Sequence, residues 1–142
     1  MIRFTLKYNE LIPRDISNIT VFETQDINII QHCIDQFNFE VKWNDMFDLT
    51  RALKRINNGN KMFVGYYKDE IFGYCWLDKI LLNTYCIYNV FSKKEPIIRN
   101  YGATDLLYFV IKNNTNNIIV ASVDDWNIKS INMFNKLGFY TI

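Results

Sequence analysis

Apolar and polar positions follow a period of two along parts of this chain and a helical period along others, and the switches between them predict its elements. Residues 2–8 (IRFTLKY) alternate in part and predict a first strand, which Pro13 interrupts. A second short strand is expected over Ile19–Glu23. From Asp26 onward, Ile27, Ile30, Ile34 and Phe37 recur at the spacing of one helix face, and His32 falls off that stripe as a surface histidine does. Met46, Leu49, Leu53 and Ile56 mark a second helix over about Asn44–Ile56, which NNGN ends with Gly59 available for a left-handed cap.

The run KMFVGYYKDEIFGYCWLD holds two β-rich segments around a polar KDE, which reads as a hairpin. Gly65 and Gly73 fall inside those segments, where glycine marks a bulge or a close backbone approach. LLNTYCIYNVF is a third neighbouring strand, and a helix follows over about Thr104–Asn113. NIIVASV is short and continuously apolar, as a strand buried on both faces is. Ile128, Ile131, Phe134 and Leu137 then form one stripe of a last helix, Gly138 ends it, and Phe139–Ile142 begin a final strand.

The order is therefore strands and two helices, an antiparallel meander, then helix, strand, helix, strand. The strand after the meander is reached through a helix, so it can lie parallel to the meander's last strand. This is an α/β (α+β) pattern: a mixed, mostly antiparallel central sheet with about four helices. There is no repeat, low-complexity tract or linker, and a chain of 142 residues reads as one domain, 1–142.

Composition removes several classes of function. Hydrophobic residues (49%) outnumber charged ones (22%) as in a globular protein rather than a disordered one. The abundance of Ile, Asn, Lys, Tyr and Phe, all with A/T-rich codons, reads as genome bias. A net charge of +1 argues against a nucleic-acid footprint, and the cations of RALKRINNGNK read as a solvated helix face. Cys33, Cys75 and Cys86 are scattered, no C-x-x-C pair occurs and His32 is the one histidine, so no metal site is expected and the thiols are expected to be reduced. The first residues lack the apolar core of a signal peptide and no run approaches a membrane span, so the expectation is a soluble cytoplasmic protein without a membrane partner.

One junction carries candidate chemistry. Between the meander and the following helix stands R-N-Y-G-A-T, residues 99–104. A helix N-terminus presents unpaired amides and a partial positive charge. Successive amides before it form an anion nest, and glycine lets them approach the anion closely. Arg99 adds a cation at the rim. The same letters also suit an ordinary turn leading into a helix.

The hexamer resembles the acetyl-CoA pyrophosphate loop of the GNAT-type N-acetyltransferases, Arg/Gln-x-x-Gly-x-Gly/Ala, with Arg99 and Gly102 at the first and fourth positions and Thr104 in place of the small sixth residue. NIKSINMFNKLGF resembles that family's later motif, Asn-x-x-Ala-x-x-x-Tyr-x-Lys-x-Gly-Phe: Asn127, Lys136, Gly138 and Phe139 match, and Ser130 replaces alanine. The similarity covers roughly residues 61–142; the N-terminal part agrees only in element order.

The resemblance implies a GNAT fold whose meander strand and next parallel strand splay apart. It implies that the pantetheine arm of acetyl-CoA enters the gap against the backbone edge near Asn89, Val90 and Phe91. The pyrophosphate would rest on amides of Asn100, Tyr101, Gly102, Ala103 and Thr104 beside Arg99, and Phe134 would pack beside the thioester. Asn127 is expected either to offer its amide to the pantetheine or to cap the last helix, roles that can coexist.

The resemblance has three departures. The family's tyrosine, the acid for the leaving thiolate, falls on Phe134, which has no proton to give. The strand YCIYNVF lacks the common Glu base, leaving Tyr88 and Asp78 as weak candidates. Only four residues follow Gly138, where the family continues into a further hairpin strand; the first strand is expected to cover the resulting edge within the chain or across a homodimer.

The implied activity is direct transfer of acetyl from acetyl-CoA to a primary amine on a small molecule or peptide. The alternatives are a catalytically weak or inactive CoA-binding module and a nucleotide-phosphate module; the scarcity of glycine counts against the last. Tyr66, Tyr67, Tyr74, Trp76 and Tyr85 either line an acceptor groove or belong to the core.

Overall fold

The first strand of the chain does not lie at an edge. In the computed structural model, which describes residues 1–16, 18–37, 48–93, 102–114 and 117–142, β1 (Ile2–Lys7) sits between two strands from the far end of the sequence. Seven strands form one sheet in the order β2-β3-β4-β5-β6-β1-β7. β2 (Ile19–Thr24), β3 (Lys61–Tyr67), β4 (Glu70–Leu81) and β5 (Thr84–Ser92) make the antiparallel meander. β6 (Ile118–Val123) joins β5 in parallel, and β1 pairs antiparallel with β6 along its whole length, from Ile2↔Val123 to Lys7↔Ile118. β7 (Tyr140–Thr141) pairs with Phe4 and Thr5 of β1. β1 thus pairs within the chain with the strand after the last helix, and β7 itself ends the sheet.

Helices cover both faces. On one side α3 (Ala103–Lys112) and α4 (Ile128–Leu137) pack over Phe4, Leu6, Ile119 and Ala121. On the other, α1 (Ile27–Phe37) and α2 (Leu49–Asn57) pack over Met62, Val64, Tyr74 and Trp76. Of the expected α1 stripe, Ile30 and Ile34 are buried, with Cys33 beside them, and Ile27 is half exposed at the first turn. Ile128 is likewise exposed at the start of α4, so that helix begins to bury at its second turn. Of the second predicted helix, residues 44–47 lie outside the described residues; Asp48 caps the part that follows by accepting from the Arg51 amide at 2.8 Å.

The hairpin between β3 and β4 turns through Lys68 and Asp69 with φ of +48° and +66°, the paired left-handed conformation that suits the twist of a two-residue loop. The two strand glycines do what their position suggests. The β3–β4 register shifts beside Gly65, and a Cβ on Gly73 would stand 2.2 Å from the Phe91 carbonyl oxygen, so no side chain fits there. No helix among the described residues is long and apolar enough to cross a membrane.

Candidate functional site

β5 and β6 pair over three positions only, Thr84↔Ile118, Tyr85↔Ile119 and Cys86↔Val120. Beyond them β5 stays on β4 as far as Ser92, and β6 stays on β1 as far as Val123, so the two parallel strands part. A bulge lies at the vertex. Trp76 faces Asn89 and Leu77 faces Ile87, which leaves Tyr88 as the extra residue of β5. An extra residue bends its strand and increases the twist, and so turns β5 away from a strand that continues straight.

The parting opens a cleft of about 430 Å³. One wall is Ile87–Val90 and the other Ala121–Asp124, while Ala103 and Thr104 of α3 and Asn127, Lys129, Ser130 and Phe134 of α4 close it from one face. Two helix N-termini therefore meet at one opening, each adding a partial positive charge. Of the residues expected here, Asn89, Val90, Ala103, Thr104, Asn127 and Phe134 line the cleft. Phe91 is not among the residues that line it; its ring stacks on Tyr74 on the α1–α2 side, with centroids 5.7 Å apart. Arg99, Asn100 and Tyr101 lie outside the described residues.

At the head of α3, Gly102 is the N-cap in ordinary extended conformation (φ −121°, ψ −163°), and a Cβ added there meets nothing within 4 Å among the described residues. Its amide donates to Asp105 Oδ2 at 3.3 Å. The buried Asp105 carboxylate is balanced by Arg14, whose Nη2 and Nε donate to Oδ1 at 2.8 and 3.2 Å. This pair ties the segment after β1 to the start of α3. It escaped the sequence reading, in which the only trace is an acid three residues after the cap. At the head of α4, Asn127 Oδ1 accepts from the Ser130 amide at 3.3 Å, so the capping role is present in a residue that also faces the cleft.

Phe134 is buried between Phe4 and Phe139, at centroid distances of 5.4 and 5.0 Å. The two weak catalytic candidates meet at a residue from another element. Arg55 of α2 lies 4.0 Å from the Tyr88 ring centre and 5.1 Å from that of Trp76, and its Nη2 donates to Asp78 Oδ1. Burial raises the Asp78 pKa above the usual carboxylate range, against the opposing pull of Arg55. Tyr74, Trp76 and Tyr85 are buried in the core, while Tyr66 and Tyr67 are partly exposed. His32 is exposed at the rim of a second depression of about 480 Å³ between α1 and the β3–β4 hairpin, away from the splay. Among the described residues, no group of His, Cys, Asp and Glu is placed to hold a metal ion.

No protein-family model matches this sequence, and no curated protein matches it either. Solved structures do. A GCN5-related N-acetyltransferase from Kribbella flavida superposes over 99% of this chain and 53% of its own, with a TM-score of 0.65 at 7% identity. An aminoglycoside acetyltransferase from an uncultured soil metagenomic sample, solved in complex with sisomicin, matches over 83% of this chain and 86% of its own (TM-score 0.58, 14% identity). An acetyltransferase of the GNAT family from Staphylococcus aureus Mu50 matches over 82% and 81% (TM-score 0.54, 16% identity). The chain has the GNAT fold. It spans only about half the length of the Kribbella protein. Within the GNAT fold, the splayed pair expected from the resemblance is the β5–β6 pair, and it opens on the side where α3 and α4 begin.

Proposed function

We propose that this chain is an acetyl-CoA-dependent N-acyltransferase that moves an acetyl group directly to a primary amine. The observation that carries the reading is the β5–β6 splay, which sets an open backbone edge and two helix N-termini around one cleft. The residues present suit an acyl-CoA. The β5 edge over 87–90 has backbone donors and acceptors for a polyamide arm, and the start of α3 would present amides to a pyrophosphate, with no described residue crowding Gly102. Asn127, with Oδ1 engaged as a cap, has its side-chain N–H groups left to offer to that arm. Lys129 adds a cation at the same opening.

Acetyl-CoA would supply an activated thioester. The chain would supply position, which is worth several powers of ten in rate, and a backbone amide of the bulged strand aimed at the carbonyl oxygen. Phe134 would shield the thioester side from water. Phe134 stands where the family has its tyrosine, so the thiolate would leave without acid help from that position; a thiol pKa of about 8.5 makes it a tolerable leaving group near neutrality.

A second reading, a CoA-binding module without transfer, is favoured by Phe134 and by the engagement of Asp78 with Arg55. Thermal shift with acetyl-CoA, CoA and ATP, followed by a screen for free thiol release with a panel of amines, separates the two. Stabilisation by acetyl-CoA and CoA with amine-dependent thiol release is expected. Stabilisation without release under any amine favours the module, and stabilisation by ATP alone removes both.

A further inference from the structure

The hairpin that joins β4 to β5 ends in three consecutive apolar side chains turned to water. Ile80, Leu81 and Leu82 are 52%, 66% and 80% exposed, and among the described residues no other exposed large apolar side chains stand in a run of three. Single exposed apolar residues are ordinary, but a run of this kind is a solvation cost that marks a contact surface. The tip also projects. β4 makes its last pair with β3 at Leu77↔Lys61 and runs on through Asp78–Leu81, about 13 Å at the rise of a strand, before the chain turns at Leu82 and Asn83. Lysines surround it. Lys79 precedes the run, and its stem passes Gly59 just after α2, where an added Cβ would stand 3.5 Å from Lys79 Cδ. Lys54 lies in the last turn of α2 and Lys112 in that of α3. Lys7 ends β1 opposite Ile118, which is also the partner of Thr84 at the foot of the hairpin. All four are exposed. Lys54 and Lys112 also answer the carbonyl ends of their helices, but Lys7 and Lys79 stand on strands and answer none. Of the acids at this end, Glu23 lies 3.9 Å from Lys61, Asp78 is held by Arg55, and Glu10 stands exposed beyond Lys7. The balance around the tip is positive.

We propose that the β4–β5 tip docks this protein on a lipid surface that carries anionic headgroups: Ile80, Leu81 and Leu82 enter the interface, and the lysines around them meet the headgroup phosphates. This departs from the expectation of no membrane partner and does not depend on the transferase reading. No membrane-crossing helix is needed, because binding at an interface grows with buried apolar area and with the attraction of cations to anionic lipid. A projecting tip suits a soft interface that closes around it, where a protein partner would need a groove of matching shape. A second copy of this chain suits it least, since a two-fold contact through the tip sets each lysine against its own kind. The tip lies at the far end of the sheet from the cleft: β5 leaves the turn at Thr84 and reaches the cleft wall only at Ile87–Val90. A chain docked by the tip therefore holds its cleft away from the lipid and open to water.

Co-sedimentation of the full chain with vesicles tests the surface without requiring turnover. Vesicles of phosphatidylcholine and phosphatidylglycerol in equal parts should bind the chain at least tenfold more tightly than phosphatidylcholine alone, and added salt should weaken that binding. The double variant Leu81→Ser, Leu82→Ser should lose at least tenfold in affinity for the mixed vesicles and keep the parent's melting temperature, because both side chains are exposed. Leu82→Trp carries the test if the double variant does not fold: brominated phosphatidylcholine in the mixed vesicles should quench the added indole beyond the quenching seen with the parent chain. Absence of binding to the mixed vesicles, unchanged affinity in the folded double variant, or quenching no greater than the parent's overturns the proposal. So does a dimer, seen by light scattering, that the double variant abolishes, since the tip would then be an interface between copies.

Discussion

Phe4 of the first strand lies on Phe134 of the last helix, with ring centroids 5.4 Å apart and planes inclined by 30°. The contact joins residues from opposite ends of the chain and backs one wall of the cleft, because Phe134 lines it. Offset aromatic pairs are worth about 0.5–1.5 kcal/mol beyond their buried area. Phe4→Leu and Phe134→Leu should each cost about 1–1.5 kcal/mol. The double variant should cost less than their sum by about 1 kcal/mol, read by urea unfolding. Strict additivity would mean that the rings do not support each other.

Removal of residues 1–8 should unfold the chain. β1 pairs with β6 and β7 at once, and Phe4 and Leu6 are 1% and 0% exposed. Losing two such side chains costs ~2–5 kcal/mol each, comparable with the whole stability of a domain. Circular dichroism and one-dimensional NMR would reveal the loss; a deletion variant with the parent's melting temperature contradicts the strand's central place.

Gly102 separates ligand from fold. Since among the described residues a Cβ there meets nothing within 4 Å and the backbone is ordinary, Gly102→Val should lower stability only by the ~1 kcal/mol that a poorer N-cap costs. Affinity for acetyl-CoA should fall at least tenfold, on the order of 1.4 kcal/mol, while dephosphorylated pantetheine is indifferent. Calorimetry with both ligands decides it. Equal losses for the two would place the phosphates elsewhere.

Phe134→Tyr would return a hydroxyl to the position where the resemblance expects an acid. General acid help is worth roughly 10²–10⁴-fold, so a faster single turnover on a good amine acceptor is expected, with acetyl-CoA affinity little changed. If the variant is no faster, thiolate departure is not limited by the missing proton.

The cysteines give a pH signature. Burial pushes the Cys33 thiol up to about 12 from 9.0, raises Cys75 as well, and raises the half-buried Cys86 with help from Asp78. At pH 8 the buried Cys33 is held as the thiol, so iodoacetamide should label native Cys86 first and spare Cys33 and Cys75. The folded state holds the Cys33 proton more tightly than the unfolded chain does. Its contribution to stability is therefore intact below pH 9 and lost as pH rises toward about 12. Cys33→Ala should flatten that alkaline decline in a melting-temperature series; an unchanged slope would assign the decline to other groups.

The sequence by itself determined the features that a short window can encode. The Lys68–Asp69 hairpin, the apolar run of β6, the Asn127 cap and the left-handed Gly138 (φ +102°) that ends α4 each depend on residues a few positions apart. The connection through α3 also made β6 parallel to β5, because a crossover helix leaves that geometry open and a tight turn does not. Only the tertiary structure decided where β1 goes. Its alternation tells which side chains face the core, but an apolar face does not name the strand it pairs with, and its partners lie more than a hundred residues away. The splay belongs to the same class. The bulge at Tyr88 is a difference of one residue between β4 and β5, which neither strand shows alone. Arg55 reaches Tyr88, Trp76 and Asp78 from α2, a set of contacts that exists only once helix and meander are packed together. Periodicity records the direction of a side chain; the site depends on which directions converge.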